Sequence, residues 1–306
     1  GRARQAAVRA AKDTVRKDMG LSKKYMKFER SMWKGRKKTK ADGKSLRNLS
    51  SFSRLARLQV KEIKRTQTMI KIVSFKICPF VQRVTALLEA KGLDYQVAYI
   101  SLSDKPQWFL DMSPNGQVPV MVTESGVALF ESEAIIEYIE EAYAPLEADV
   151  SLEQKALNRA WSYLAAKNYL VQCGTMRSRD AETLAEKSAK LGTAFDKIEA
   201  ALGDGPFFGG EQIGVVDIAW LVLLHRAQII KDHTGYDSLD GRPKTQAWQA
   251  AIMATGLAQK AVSEDFEEAF TKFYLADVTY LGRGMKDEPP QVAAAGGCGT
   301  ATSGCC

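Results

Sequence analysis

The sequence predicts an α/β domain followed by an all-helical domain, with a basic segment ahead of both. Three observations carry this. Residues 1–68 hold 22 Lys and Arg against 5 Asp and Glu, a net of +17, whereas 69–306 hold 21 against 31, a net of −10; so uneven a split marks off the first segment. Residues 69–143 mix short β-branched runs with helical periodicity, and residues 151–274 show long 3.6-residue periods with few β-branched clusters. With 306 residues, 45% of them hydrophobic, the chain can build two domains.

Taken in order, residues 69–75 (MIKIVSF) form a β-branched strand. Cys78-Pro79-Phe80 then opens a helix with Val81, Val84, Leu87 and Leu88 on one face, stopped by Gly92. Residues 95–100 alternate as a second strand, and 105–110 read as a short helical or irregular piece. Residues 118–122 are a third strand containing Pro119; Glu124-Ser125-Gly126 is a hairpin turn into a fourth, 127–130. Ser132 opens a helix that turns Ile135, Ile136 and Ile139 inward. The order βαβ then ββα gives residues 69–143 a thioredoxin-like organisation. Ala144-Pro145 is a linker. Segments 152–172, 180–203, 215–231, 244–254 and 258–274 read as five helices of a domain spanning 151–277. From Gly282 a Gly/Ala/Ser/Cys tail with Pro289-Pro290 is expected to be flexible.

The basic segment has three readings. It binds a polyanion or a larger assembly, it belongs to an organelle-targeting extension, or it is a solvated tail ahead of a start at Met69. No run of about 18 apolar residues predicts a membrane span, and no secretory signal core follows Gly1. The five cysteines, Cys78, Cys173, Cys298, Cys305 and Cys306, are odd in number and clustered at the end, which is not a disulfide framework. A reducing compartment follows, cytoplasmic in the first instance with mitochondrion or plastid as the alternative. Two histidines exclude a multi-histidine metal centre, so no metal site is assigned. The tail cysteines Cys298, Cys305 and Cys306 read as a prenylation-like end, a soft-metal or thiol site, or chance.

The chemistry concentrates at Cys78. It stands after a strand and before a helix whose first residue, Pro79, suits that position. A helix N-terminus favours a thiolate, the nucleophile of disulfide exchange. Val81 occupies the place of a second cysteine, so the site is monothiol and an external thiol must resolve a mixed disulfide. The alternative is a buried structural cysteine. Pro119 inside a strand suggests a cis bond that turns the Val118 backbone toward an extended peptide, or else an edge strand. Ser132 at a helix start suits a carboxylate and Glu131 an ammonium, together an α-amino-acid head group, or else Ser132 is an ordinary N-cap.

The runs KIVSFKICPFVQRV, DKPQWFLDMSPNGQVPVMV and ALFESEAIIEYIEEAY resemble the N-terminal domain of cytosolic glutathione transferases, in particular the cysteine-dependent omega and dehydroascorbate-reductase groups. PFFGGEQIGVVDIAW resembles the family's capping element before its central helix, with Gly214 where Ser or Thr is usual and Asp217 in a structural role. The resemblance spans about residues 69–274. It implies a glutathione transferase-like fold: a thioredoxin-like domain plus an all-α domain. It implies glutathione as co-substrate, Cys78 forming the mixed disulfide, Lys105 near the glycyl carboxylate, and Val118 pairing with the cysteinyl backbone before a cis Pro119. Glu131 and Ser132 would hold the γ-glutamyl end, Phe80 would follow the active-site proline, and the assembly would be a homodimer. The function so implied is a glutathione-dependent thioltransferase acting on a disulfide, dehydroascorbate or a glutathionyl adduct. The rival is a non-catalytic structural subunit anchored through residues 1–68.

Overall fold

A computed structural model describes residues 69–287. The basic segment and the three tail cysteines, with the readings attached to them, lie outside these residues.

The first domain is a four-stranded mixed sheet in the order β2-β1-β3-β4. Strand β1 (Ile70–Ser74) pairs in parallel with β2 (Tyr95–Tyr99) and antiparallel with β3 (Val120–Val122). Strand β4 (Ala128–Phe130) closes a hairpin with β3 through the turn at Glu124-Ser125-Gly126. The inner strand β1 has almost its whole length buried, Lys71 being the half-buried exception. Helix α1 (Pro79–Ala90) crosses between the parallel strands, and Gly92 ends it at φ +62°. Its apolar side packs on the sheet, yet Gln82 and Arg83 are buried too, because its other side meets the helical domain. A four-residue helix α2 (Gln107–Leu110) precedes β3, and α3 (Ser132–Ala142) follows β4.

The second domain contains α4 (Leu152–Met176), α5 (Ala181–Ala201), α6 (Val215–Thr234), α7 (Pro243–Ala254), α8 (Leu257–Lys260) and α9 (Phe266–Tyr274). Side chains start several of them. Ser151 and Asp180 accept from the backbone N–H of Gln154 (3.1 Å) and Thr183 (2.8 Å), as N-cap residues do. Helix α6 is the axle of the molecule, with Val216 to Arg226 buried on every side. Among the described residues no helix is long and apolar enough to cross a membrane.

The start of α6 explains why glycine stands at the N-cap. Asp217 keeps the carboxylate half of the capping box, accepting from the Gly214 N–H at 2.7 Å, from Phe208 N–H at 2.8 Å and from the Trp248 indole at 2.6 Å. The missing hydroxyl is replaced from outside the helix. Glu147, in the linker between the domains, accepts from Val215 N–H at 3.2 Å and from the Asn158 amide at 3.0 Å. A Cβ on Gly214 would lie 2.8 Å from that carboxylate, so only glycine lets it in. The sequence departure therefore trades a side-chain hydroxyl for a linker carboxylate that serves the first amide of the helix.

Three expectations are corrected. Strand β3 begins at Val120, and it lies inside the sheet, so Pro119 does not mark an edge strand. The segment 258–274 is two helices, because Gly256 at φ +71° starts a short α8 and a turn closed by Phe266 N–H to Ser263 O restarts the chain as α9. Order also continues past Gly282: Leu281 is buried, Gly282 N–H donates to Thr279 Oγ1 at 3.0 Å, and Met285 N–H donates to Tyr280 O at 2.8 Å. Gly282 is needed there, since a Cβ would sit 2.2 Å from the Ala276 carbonyl oxygen.

Candidate active site

Cys78 is the N-cap residue of α1, extended at φ −72° and ψ 123°. Its N–H donates to Phe75 O at 3.0 Å, and its carbonyl accepts from Gln82 N–H at 3.1 Å. This places it where a strand end becomes a helix start, with the positive end of the α1 dipole behind it. The residue is 2% exposed and belongs to the apolar cluster between sheet and helical domain. Phe80, half-buried, meets the ring of Tyr169 edge-on at 5.3 Å. Burial holds the Tyr169 hydroxyl well above its ordinary pKa, so it stays protonated and donates to Ala219 O at 2.6 Å.

Beside Cys78 opens a cavity of about 230 Å³. It is lined by Phe80 and Leu170, by Gln117, Val118 and Pro119 ahead of β3, by Asn115, and by Glu131, Ser132 and Glu133 at the start of α3. The Val118–Pro119 peptide bond is cis. Ser113 fixes the loop ahead of it, its hydroxyl donating to Gln117 O at 2.9 Å and accepting from Gln117 N–H at 3.0 Å. Glu131 is the N-cap residue of α3 with φ +67°, a backbone that side-chain-bearing residues rarely adopt. Its carboxylate accepts from the Asn115 amide at 2.6 Å and does not cap the helix. Ser132 is the first helical residue, buried, so the ordinary N-cap reading does not hold for it. Glu133, also at the cavity, forms an ion pair of 2.5 Å with buried Arg83.

Chemically, this is an open slot with a carboxylate at one end, helix-start N–H groups beside it, and a backbone stretch ahead of a cis proline along its floor. Such a slot fits a zwitterionic, extended peptide. Among the described residues no group of three His, Cys, Asp or Glu is arranged to hold a metal ion.

Comparison with known proteins supplies the family. Residues 77–142 match the N-terminal domain of glutathione S-transferases, and residues 181–251 match the C-terminal domain. Glutathione S-transferase omega-1 of Sus scrofa is 30% identical over 189 residues, covering 60% of this chain and 77% of that protein. The chain belongs to the glutathione S-transferase family. Glutathione S-transferase DHAR2 of Arabidopsis thaliana is 33% identical over 161 residues, 51% of this chain and 70% of that one. Among solved structures, glutathione transferase Omega 3C of Trametes versicolor superposes with a TM-score of 0.57 at 25% identity, covering 68% of this chain and 96% of that one.

For a glutathione S-transferase of the omega and DHAR side of the family, the structure brings together five of the seven expected site positions: Phe80, Val118, Pro119, Glu131 and Ser132 line one cavity. Cys78 is buried and is not among the lining residues, whereas Phe80, two positions further on, is. Lys105, half-buried in the loop ahead of α2, is not among the lining residues. Asn115 was not expected, although it stands in the S-P-N-G turn just before V-P-V, from which its amide donates to Glu131. Leu170 was missed because a lone leucine on a long helix reads as core.

Proposed function

We propose that this glutathione S-transferase is a glutathione-dependent thioltransferase that uses Cys78 as its nucleophile. The observation that carries this is the placement of Cys78 at the start of α1, flanked by the residues of a slot built for a peptide head group. The Cys78 thiolate attacks the glutathione sulfur of a disulfide or glutathionyl adduct. A Cys78–glutathione disulfide forms, and the leaving group departs with the bonding electrons and takes a proton from solvent. A second glutathione thiolate attacks the bound glutathione sulfur, releasing glutathione disulfide and restoring the Cys78 thiolate. Glu131 receives the ammonium of the γ-glutamyl end, Ser132 and the α3 N–H groups its carboxylate, Val118 the cysteinyl backbone and Lys105 the glycyl carboxylate. Lys105 reaches that end by movement of its loop. The assembly is a homodimer.

The test is Cys78→Ser in a glutathione-coupled assay with hydroxyethyl disulfide. Turnover is expected to fall at least about a thousandfold while the far-ultraviolet spectrum is unchanged. Turnover within twofold of the unaltered chain would refute the assignment.

A further inference from the structure

Arg226, in the middle of α6, is wholly buried. Among the described residues no carboxylate forms an ion pair with it. One terminal nitrogen donates to the Ile77 carbonyl at 3.1 Å. The other donates to Gln82 Oε1 of α1 and, at 3.4 Å, to the Val222 carbonyl. The guanidinium carbon stands 5.5 Å from the ring centre of Phe266 and 5.9 Å from that of Phe270. Its Nε has no hydrogen-bond partner. Removing such a charge from water costs several kcal/mol, so an arginine here calls for a reason beyond filling space.

Its grip gives one. Ile77 directly precedes Cys78, so the guanidinium holds the carbonyl of the peptide unit that carries the cysteine. We infer that Arg226 is a positioning residue for Cys78: from the helical domain it fixes the Ile77–Cys78 peptide, and its buried charge stabilises the thiolate inside apolar surroundings. The inference rests on the reading of Cys78 as nucleophile. Burial opposes ionisation of a thiol, and a buried cation works against that penalty alongside the α1 dipole.

Among the described residues, no neighbouring group offers an equivalent charge. On α6 itself, His225 is neutral: burial, then the charge of Arg226, lower it from 6.5 to about 3, and its Nδ1 accepts from the Gln82 amide at 2.8 Å. On α1, Arg83 is paired with Glu133 of α3. On α4, the Tyr169 hydroxyl stays protonated. In the loop before Cys78, Lys76 is exposed and paired with Asp265. On α8, Lys260 is exposed. Helix α9 presents the rings of Phe266 and Phe270, and Tyr274 donates its hydroxyl to Cys173 Sγ at 3.2 Å.

The experiment follows the ultraviolet absorbance of the Cys78 thiolate against pH in the full chain, as the difference from Cys78→Ser, which removes the other cysteines from the signal. Arg226→Met is expected to raise the midpoint by about one pH unit or more, and Arg226→Lys to keep it near the unaltered value. Gln82→Glu sets a carboxylate against the guanidinium without altering size and is expected to raise the midpoint; Gln82→Leu leaves the cation uncompensated and is expected not to. This second pair carries the test if Arg226→Met does not fold. An unmoved midpoint in folded Arg226→Met or in Gln82→Glu overturns the inference, as does a rise in Gln82→Leu equal to that in Gln82→Glu. The readout needs neither glutathione nor acceptor, so full turnover by Cys78→Ser would instead sink the nucleophile and leave the midpoints standing.

Discussion

Replacing Asp217 with alanine strips the acceptor from three buried donors at once. The Phe208 and Gly214 N–H groups and the Trp248 indole all point at its carboxylate, at 2.6 to 2.8 Å, and the side chain has no exposed surface. Each donor left without a partner costs about 1–3 kcal/mol. Part of that is returned, because burial raises the Asp217 pKa and its charge is itself costly to hold. A net loss of about 4 kcal/mol results, equivalent to roughly 8–16 °C in melting temperature for a body of this size. Equilibrium urea unfolding followed by circular dichroism measures it. Asp217→Asn should lose about half as much, since its oxygen can serve Phe208 and Trp248 while its NH₂ opposes the Gly214 N–H. A loss under about 1 kcal/mol for Asp217→Ala would refute the view that this carboxylate ties α6 to α7 and to the 207–208 loop.

Two further outcomes follow from other groups. His225 is held neutral with its pKa near 3, so the unfolded chain binds this proton more readily than the folded one. Its contribution to stability is complete above about pH 6.5 and is lost as pH falls toward 3, at roughly 1.4 kcal/mol per pH unit; His225→Gln should flatten that slope between pH 6.5 and 4 in urea titrations, and an unchanged slope would count against it. Glu131→Gly relieves a positive φ while deleting a carboxylate at the slot, so melting temperature should hold or rise while the glutathione KM climbs about tenfold or more; a KM unchanged would remove Glu131 from the site.

How much of this was legible depended on whether the signal was local. Pro79 after Cys78 announced a helix start, and V-P-V beside F-E-S announced the slot, because turn and cap chemistry is written in adjacent residues. The break between α8 and α9 was not, since Ala261 and Val262 continue an apolar period across the turn and only Gly256 and Ser263 hint at it. The task of Arg226 was hidden too, because its partners Ile77 and Gln82 lie far off in sequence. Whether Cys78 is buried was left open by the sequence, since it depends on how two domains close on one residue.

The carboxylate of Glu147 gives the stretch between the domains a task of its own. It reaches from the connection into the first turn of α6, and the glycine there makes room for it. Cutting the chain at residue 151 to isolate the helical half would leave that half's central rod with a bare first amide at Val215. Each half therefore carries a piece of the other's scaffolding, and heat or denaturant should melt the pair in one concerted event.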